Sequence, residues 1–353
     1  MIQYRGEVET MKALVKLHET PGLVFQEIPT PSPGKGEVLV RIRVAAICGS
    51  DLKIYKWDDF ARSIIPRLPF IPGHECCGEV VAVGEGVTRL KVGDRVASET
   101  HIPCLECFQC RQGRFHTCEK MGLFGHTRDG CFAEYALIPE VSTRKIPREL
   151  SFEEGCLLEP MGIPYRAVER GSVAQDLVVV LGCGPIGQFA VGFSRFLGAS
   201  KIIAVDPNER RLSIATLMGA HRVVNPLKEN VTEVVRGEAR DFGGGAGVVI
   251  EASGDIAALK DSFHYLRVGG KVMVLGQTSR SLELPVSPNI VFKEATIQGF
   301  FGREIWDTWD KTEAILATHK IDVTPVITHR FSLSEYEEAF RVALSGEGCK
   351  VMF

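Results

Sequence analysis

Residues 177–182 read LVVVLG, an unbroken apolar run, and lead directly into Gly182-Cys183-Gly184-Pro185-Ile186-Gly187. A continuous apolar run of this length suits a parallel strand buried on both faces. The G-x-G-x-x-G pattern that follows allows a tight turn, close backbone approach to a pyrophosphate, and close packing of a helix on its strand. Apolar residues at Ile186, Phe189, Ala190, Phe193, Phe196 and Leu197 then step by threes and fours, marking one face of a helix that Gly198 ends. This stretch commits the chain to a βαβ unit.

The rhythm continues downstream. KIIAVD (201–206), a helical pattern over 210–218, GVVIEAS (247–253), a helical pattern over 256–266 and KVMVLG (271–276) alternate strand with helix, which predicts an α/β, doubly wound parallel sheet. Before about residue 160 the texture differs. EVLVRIRVAAI (37–47), GEVVAVG (78–84), DRVAS (94–98) and FAEYALI (132–138) are short runs punctuated by Gly and Pro, as in a mainly β, antiparallel and partly barrel-like domain. From Trp306 onward a helical stretch and THRFSLSEYEEAFRVALSG (328–346), read as another helix, suggest a return to the first domain. The expected division is therefore 1–164, 165–305 and 306–353.

Composition excludes several classes of partner. Net charge is −3 over 353 residues with no long basic block, which argues against nucleic acid or an anionic membrane. No apolar run reaches the ~18 residues of a membrane helix. The first ten residues, MIQYRGEVET, lack the apolar core of a secretory signal and read as a short extension before a strand-like segment at 11–17. Eleven cysteines, an odd number, point to metal or reactive thiols in the cytoplasm rather than to a disulfide framework.

Two further features carry chemistry. Asp206 ends the strand after the glycine pattern, nineteen residues beyond Gly187. A carboxylate there accepts hydrogen bonds from an adenosine ribose and repels a 2′-phosphate, which favours NAD over NADP, although Arg210 and Arg211 follow closely. Cys104, Cys107, Cys110 and Cys118 place four thiols within fifteen residues, the local spacing of a closed, structural Zn²⁺ site. An iron–sulfur cluster or two disulfides fit the chain less well. A sparser set, Cys48, His74, Glu75 and Glu159, offers donors for an open metal site, though each residue taken singly is more often a packing residue.

Cys48-Gly49-Ser50-Asp51, Gly73-His74-Glu75, the four-cysteine loop, GDRV (93–96) and the later glycine pattern with its aspartate follow in order over nearly the whole chain. Together they resemble the zinc-dependent medium-chain dehydrogenases. Within that superfamily, IYKWDDF (54–60), ETHIPC (99–104), GCFAEY (130–135), GREIWDTW (302–309) and PVITHRFSL (325–333) are most similar to the threonine dehydrogenases, and related polyol and sugar dehydrogenases share several of them.

The resemblance implies a GroES-like catalytic domain joined to a Rossmann domain. It implies an oxidoreductase that takes a secondary alcohol of a small, threonine-like substrate to a ketone, with hydride passing to NAD. Cys48, His74 and either Glu75 or Glu159 would hold a catalytic zinc. Ser50 would accept the proton of the substrate hydroxyl, and His101 would lie near the substrate. Gly182, Gly184, Pro185, Ile186, Gly187, Asp206 and Arg211, with Leu275, Gly276, Gln277, Phe300 and Phe301, would contact the cofactor. The family is usually a homodimer or homotetramer.

Three positions depart from the pattern. Lys53 stands where the proton relay of the family continues to a histidine. The run after Glu159 is Pro160-Met161-Gly162-Ile163-Pro164-Tyr165-Arg166, more apolar than in threonine dehydrogenases and ending in Arg rather than His. Gln277 replaces a more usual apolar residue. Polyol, sugar, diol or aminocyclitol dehydrogenases are the rival enzyme readings. Arg303 would pair a substrate carboxylate, or else bridge Glu304 or Asp307. A catalytically inactive binding protein on this scaffold is the reading from another class, and retention of Cys48, Ser50, His74, Glu75 and Glu159 argues against it.

Overall fold

A computed structural model of the protein describes residues 9–353, and most of the N-terminal extension read from the sequence lies outside the described residues. The chain opens with strands β1 (Thr10–Val15), β2 (Val24–Pro29) and β3 (Glu37–Ala46) and helices α1 (Gly49–Lys56) and α2 (Asp59–Ile64). Strands β4 (Glu75–Val83), β5 (Arg95–Ser98) and β6 (His101–Ile102), helix α3 (Phe108–Arg111), and strands β7 (Gly122–Leu123), β8 (Tyr135–Pro139) and β9 (Thr143–Lys145) follow. The long helix α4 (Phe152–Gly171) leads into β10 (Leu177–Leu181), α5 (Pro185–Phe196), β11 (Lys201–Val205), α6 (Glu209–Leu217), β12 (Arg222–Val224) and α7 (Val231–Glu238). Then come β13 (Ala246–Glu251), α8 (Ile256–Tyr265), β14 (Leu266–Val274), β15 (Thr296–Gly299) and α9 (Asp307–Ala317), and the chain closes with β16 (Ile327–Arg330), α10 (Tyr336–Ser345) and β17 (Lys350–Met352).

These elements form two compact units, one of residues up to 159 together with 328–353, the other of residues 160–327. In the first, a sheet runs in the order β16-β17-β3-β4-β5-β9, with β8 also paired to β3. The pairs of β3 with β4, β8 and β17 are antiparallel. Along β3, Val38 and Val40 point into the core while Arg41 and Arg43 are exposed, the period of two that a half-buried strand shows. Leu14, Val80, Phe124, Phe132 and Phe340 complete that core, and the rings of Tyr55 and Phe340 stack at 4.5 Å.

The second unit carries six parallel strands in the order β12-β11-β10-β13-β14-β15. Every residue of β10 is buried, as its apolar sequence requires. The order grows outward in both directions from β10 and β13. In a doubly wound sheet that reversal opens a crevice at the carboxyl ends of the two strands.

Three details differ from the sequence reading. The two units part between Glu159 and Pro160 rather than after residue 164, and the return to the first unit falls at Thr328 rather than at residue 306. Helix α9 stays with the second unit because it packs on the C-terminal half of α4: Lys311 Nζ lies 2.7 Å from Glu169, and a Cβ on Gly162 would come within 3.0 Å of Thr308 Cγ2. Residues 328–346 are also not all helix, since Thr328–Arg330 lie in β16 and the helix begins at Tyr336.

Candidate active site and dinucleotide groove

In the first unit the ligand atoms of Cys48, His74 and Glu75 all lie within 4.8 Å of one another. Cys48 precedes α1 and His74 precedes β4, so strand register brings together residues far apart in sequence. Their supports are specific. The Cys48 N–H donates to Asp51 Oδ2 at 2.9 Å, and Asp51 Oδ1 lies 3.7 Å from His74 Nδ1. The His74 carbonyl accepts from Ser98 Oγ at 2.8 Å, and the Glu75 carbonyl accepts from the thiols of Cys131 (3.7 Å) and Cys156 (3.4 Å). A carboxylate this close to the ring of a ligating histidine raises its basicity through its charge.

Burial pushes the Asp51 carboxyl up, but the His74 ring, the His126 ring and the Cys48 N–H outweigh it and hold the group below its usual range. Burial likewise opposes charge on His74, yet Asp51 and Cys48 raise its pKa well above 6.5. Glu75 is raised by burial and by the nearby Glu159, against the pull of Lys350. The pocket thus gathers the carboxylates of Asp51, Glu75 and Glu159 around the Cys48 thiol and the His74 ring. It also leaves Asp51 Oδ1, His74 Nδ1 and Ser50 Oγ buried without a hydrogen-bond partner. This thiol–imidazole–carboxylate set fits a zinc ion that keeps an open position.

Glu159 is not among the converging three, and its carboxylate accepts the Thr100 hydroxyl. His101 is buried, with both its N–H and its Nδ1 on Glu99 Oε1, at 2.9 and 2.7 Å. Lys53 places its ammonium 4.8 Å from the centre of the Phe60 ring, a cation–π contact.

The second cysteine set also converges. Cys104 and Cys110 sulfurs are 4.0 Å apart and those of Cys107 and Cys118 3.9 Å. Four sulfurs at ~2.3 Å around a tetrahedral zinc stand ~3.8 Å apart, so the loop fits that ion closely.

In the second unit a groove of about 790 Å³ is lined by Gly182, Gly184, Asp206, Arg211, Ser253 and Asp255, among others. Gly182 turns with φ +86°, and a Cβ on Gly187 would lie 1.8 Å from the Gly182 carbonyl. Gly184, by contrast, faces open space, the cradle a pyrophosphate needs at the N-terminus of α5, where Pro185 and Ile186 form the first turn. Asp206 is buried and held by two backbone donors, the N–H of Cys183 (2.7 Å) and of Asn208 (2.8 Å), with Arg211 at 3.9 Å. Leu275, Gly276, Gln277, Phe300 and Phe301 do not line this groove; they leave the carboxyl ends of β14 and β15.

Residues 34–148 match the alcohol dehydrogenase GroES-like domain and residues 185–318 the zinc-binding dehydrogenase family. The chain is 40% identical to an L-threonine 3-dehydrogenase of Bacillus licheniformis, covering 97% of this chain and 98% of that one. The chain belongs to the zinc-binding alcohol dehydrogenase family. Among solved structures, 2R,3R-butanediol dehydrogenase from Bacillus subtilis superposes with a TM-score of 0.87 at 30% identity, covering 97% of this chain and 99% of that one. A short chain alcohol dehydrogenase of Escherichia coli in complex with NADH does so with a TM-score of 0.88 at 27% identity, covering 97% and 98%. The protein is an alcohol dehydrogenase that works with zinc and a nicotinamide cofactor.

Sequence reading missed several residues of this dehydrogenase. Lys350, 2% exposed, donates from Nζ to both Glu75 oxygens (2.9 and 2.6 Å) and lies 3.3 Å from the Ile47 carbonyl. Burial works against its charge, but Glu75 and Cys48 keep its pKa above the usual lysine range. His126 packs its ring 4.7 Å from that of His74, and burial, with His74 beside it, pushes its pKa down to about 4. Arg166, one of the departures noted above, donates to the Phe301 (3.2 Å) and Gly302 (2.8 Å) carbonyls and pairs with Glu304 (3.1 Å). Glu304 also takes Arg170, and Asp307 takes Lys311, so the two carboxylates weighed for Arg303 pair with these cations. The cysteines outside the two ligand sets, Cys76, Cys77, Cys131, Cys156 and Cys183, are buried, and Cys349 is half-buried.

Proposed function

We propose that this dehydrogenase oxidises the secondary hydroxyl of a small amino alcohol, with L-threonine as the leading substrate, to the ketone with NAD as acceptor. The observation that carries the reading is the meeting of Cys48, His74 and Glu75 in a chain whose relatives at 36–40% identity, over 97–98% of its length, are L-threonine 3-dehydrogenases. When bound, zinc supplies Lewis-acid polarisation of a hydroxyl and nicotinamide supplies the hydride acceptor.

The chain's own residues supply position and proton handling. Cys48 and His74, with Glu75 or Glu159 as the carboxylate, would hold the metal. Convergence favours Glu75, while the Lys350 clamp on both its oxygens leaves Glu159 as the exchange partner. Ser50 Oγ, buried and unpartnered, would relay the substrate proton, accepting it as its own hydroxyl proton passes on toward solvent. His101, oriented by Glu99, would contact the substrate. Asp206, its oxygens already directed by two backbone N–H groups, would take the adenosine ribose and repel a 2′-phosphate. Leu275, Gly276, Gln277, Phe300 and Phe301 would meet the rest of the cofactor.

A diol or polyol is the second reading, favoured by one observation: Arg166 replaces the histidine of threonine dehydrogenases and is consumed by the 301–304 loop. NAD reduction with L-threonine, 2,3-butanediol, polyols and cyclitols side by side tests both. The expected result is the largest kcat/KM with L-threonine; a tenfold higher value with a diol or polyol would replace it. We also read the protein as a cytoplasmic homo-oligomer. No helix among the described residues is long and apolar enough to cross a membrane, and β15 is a sheet edge with an exposed Ile297.

A further inference from the structure

Glu251 is 1% exposed and ends β13, in register with Leu181 of β10 on one side and Val274 of β14 on the other. Three loops leave the sheet from that row: the Gly182 turn, residues 252–254, and residues 275–277. The side chain of Glu251 folds back on its own loop. Its Oε1 accepts three hydrogen bonds, from Ser253 N–H (2.7 Å), Ser253 Oγ–H (2.6 Å) and Gly254 N–H (2.7 Å). Its backbone carbonyl accepts two more, from Leu275 N–H (2.8 Å) and Gly276 N–H (3.0 Å).

The loops so gathered touch without slack. A Cβ on Gly276 would lie 2.5 Å from Glu251 Oε2 and 2.3 Å from Gly254 N, and one on Gly182 would lie 2.8 Å from Ser253 N. Displacing the carboxylate therefore moves 252–254 against both neighbours. Asp206 stands at the end of β11, on the other side of β10, and the first turn of α5 faces the phosphates. A dinucleotide whose adenosine lies at Asp206 and whose pyrophosphate crosses at Gly184 brings its remaining half to the ends of β13 and β14.

We infer that Glu251 is a positioning residue for the nicotinamide-riboside half of the cofactor, setting the 252–254 and 275–277 loops without touching the ring. The inference rests on the reading of the second unit as dinucleotide-binding. Ala252 and Ser253 line the groove together with Asp206, whereas residues 275–277 lie outside it, so the loss of Glu251 acts unevenly along the ligand and most on the half beyond the pyrophosphate.

Glu251→Gln keeps the shape and weakens the acceptor at Oε1. Calorimetric titration of the full-length, zinc-loaded protein with AMP and with NADH, in the absence of alcohol, separates the two halves. The expected result is AMP affinity within about twofold of wild type and NADH affinity at least tenfold weaker, with a reduced enhancement of bound NADH fluorescence. Equal loss for both ligands marks a merely structural role and overturns the inference, as does no loss for either. Should Glu251→Gln fail to fold, Glu251→Asp, which shortens the reach of the carboxylate to the Ser253 and Gly254 N–H groups, carries the same uneven expectation. A wild-type protein that binds neither ligand would instead sink the dinucleotide reading itself.

Discussion

An ammonium as buried as that of Lys350 keeps its charge only where anions and carbonyls replace water. Lys350 has the Glu75 carboxylate on two contacts and the Ile47 carbonyl on a third, and its removal leaves a carboxylate buried without its cation. Breaking one side of such a pair costs about 3–5 kcal/mol, whereas removing both sides costs far less. Lys350→Met is therefore expected to lose about that much unfolding free energy, and Lys350→Met combined with Glu75→Gln much less than the sum of the single losses. Urea unfolding of the four proteins of this cycle measures the difference. Additive losses would mean that the pair is not coupled and that the clamp on Glu75 has no energetic weight.

The two cysteine-bearing sites are built from elements of different kinds, and that difference predicts how they fail. Residues 104–118 are a loop with one short helix and a single 3₁₀ turn, whose own core is little more than the four cysteines with Phe115 and Met121. A segment with so few apolar contacts depends on its metal for order. Cys48, His74 and Glu75 instead hang on α1 and β4, which the antiparallel sheet holds in place with or without an ion. Elemental analysis should give about two zinc per chain. Cys104→Ser should lower both zinc content and thermal stability, and Cys48→Ser should lower zinc content and abolish turnover while melting close to wild type. Equal melting losses in the two variants would refute this division. The same contrast explains what was legible in the sequence. The glycine turn at Gly182–Gly187 and the four-cysteine loop are local, since every residue each needs lies within fifteen positions, and spacing alone displayed them. Strands β3, β4, β10, β11 and β13 were readable from apolar alternation or continuity for the same reason. Lys350, 275 positions from Glu75, and Glu251, whose work is done through a fold-back onto the next loop, carry no spacing signal. Thr328–Arg330 read as helix because the pattern of α10 extends smoothly into it; only pairing with β17 makes it a strand.

At the scale of the whole molecule, the parallel sheet of the second unit ends abruptly. Strand β15 pairs with β14 along one side, and among the described residues nothing pairs with the other. Its Ile297 is exposed, and Val286, Val291 and Phe292, in the segment leading to it, are more so. Soluble proteins guard such an edge with charge, proline or a covering element, because a free row of N–H and C=O groups beside apolar side chains invites another strand. Here no charged residue lies within β15 itself (Thr296-Ile297-Gln298-Gly299). A second copy of the chain meeting this edge about a two-fold axis would present the same strand in the antiparallel sense, so that each copy covers the other's Ile297. The expectation is a homodimer held at least in part through β15. Ile297→Lys, placing a charge at the centre of that edge, should shift the sedimentation profile toward monomer. It should also remove the dependence of melting temperature on protein concentration that a dimer shows. An unchanged sedimentation profile would move the contact elsewhere on the surface, and a wild-type protein that sediments as a monomer at every concentration would remove the edge-to-edge assembly altogether.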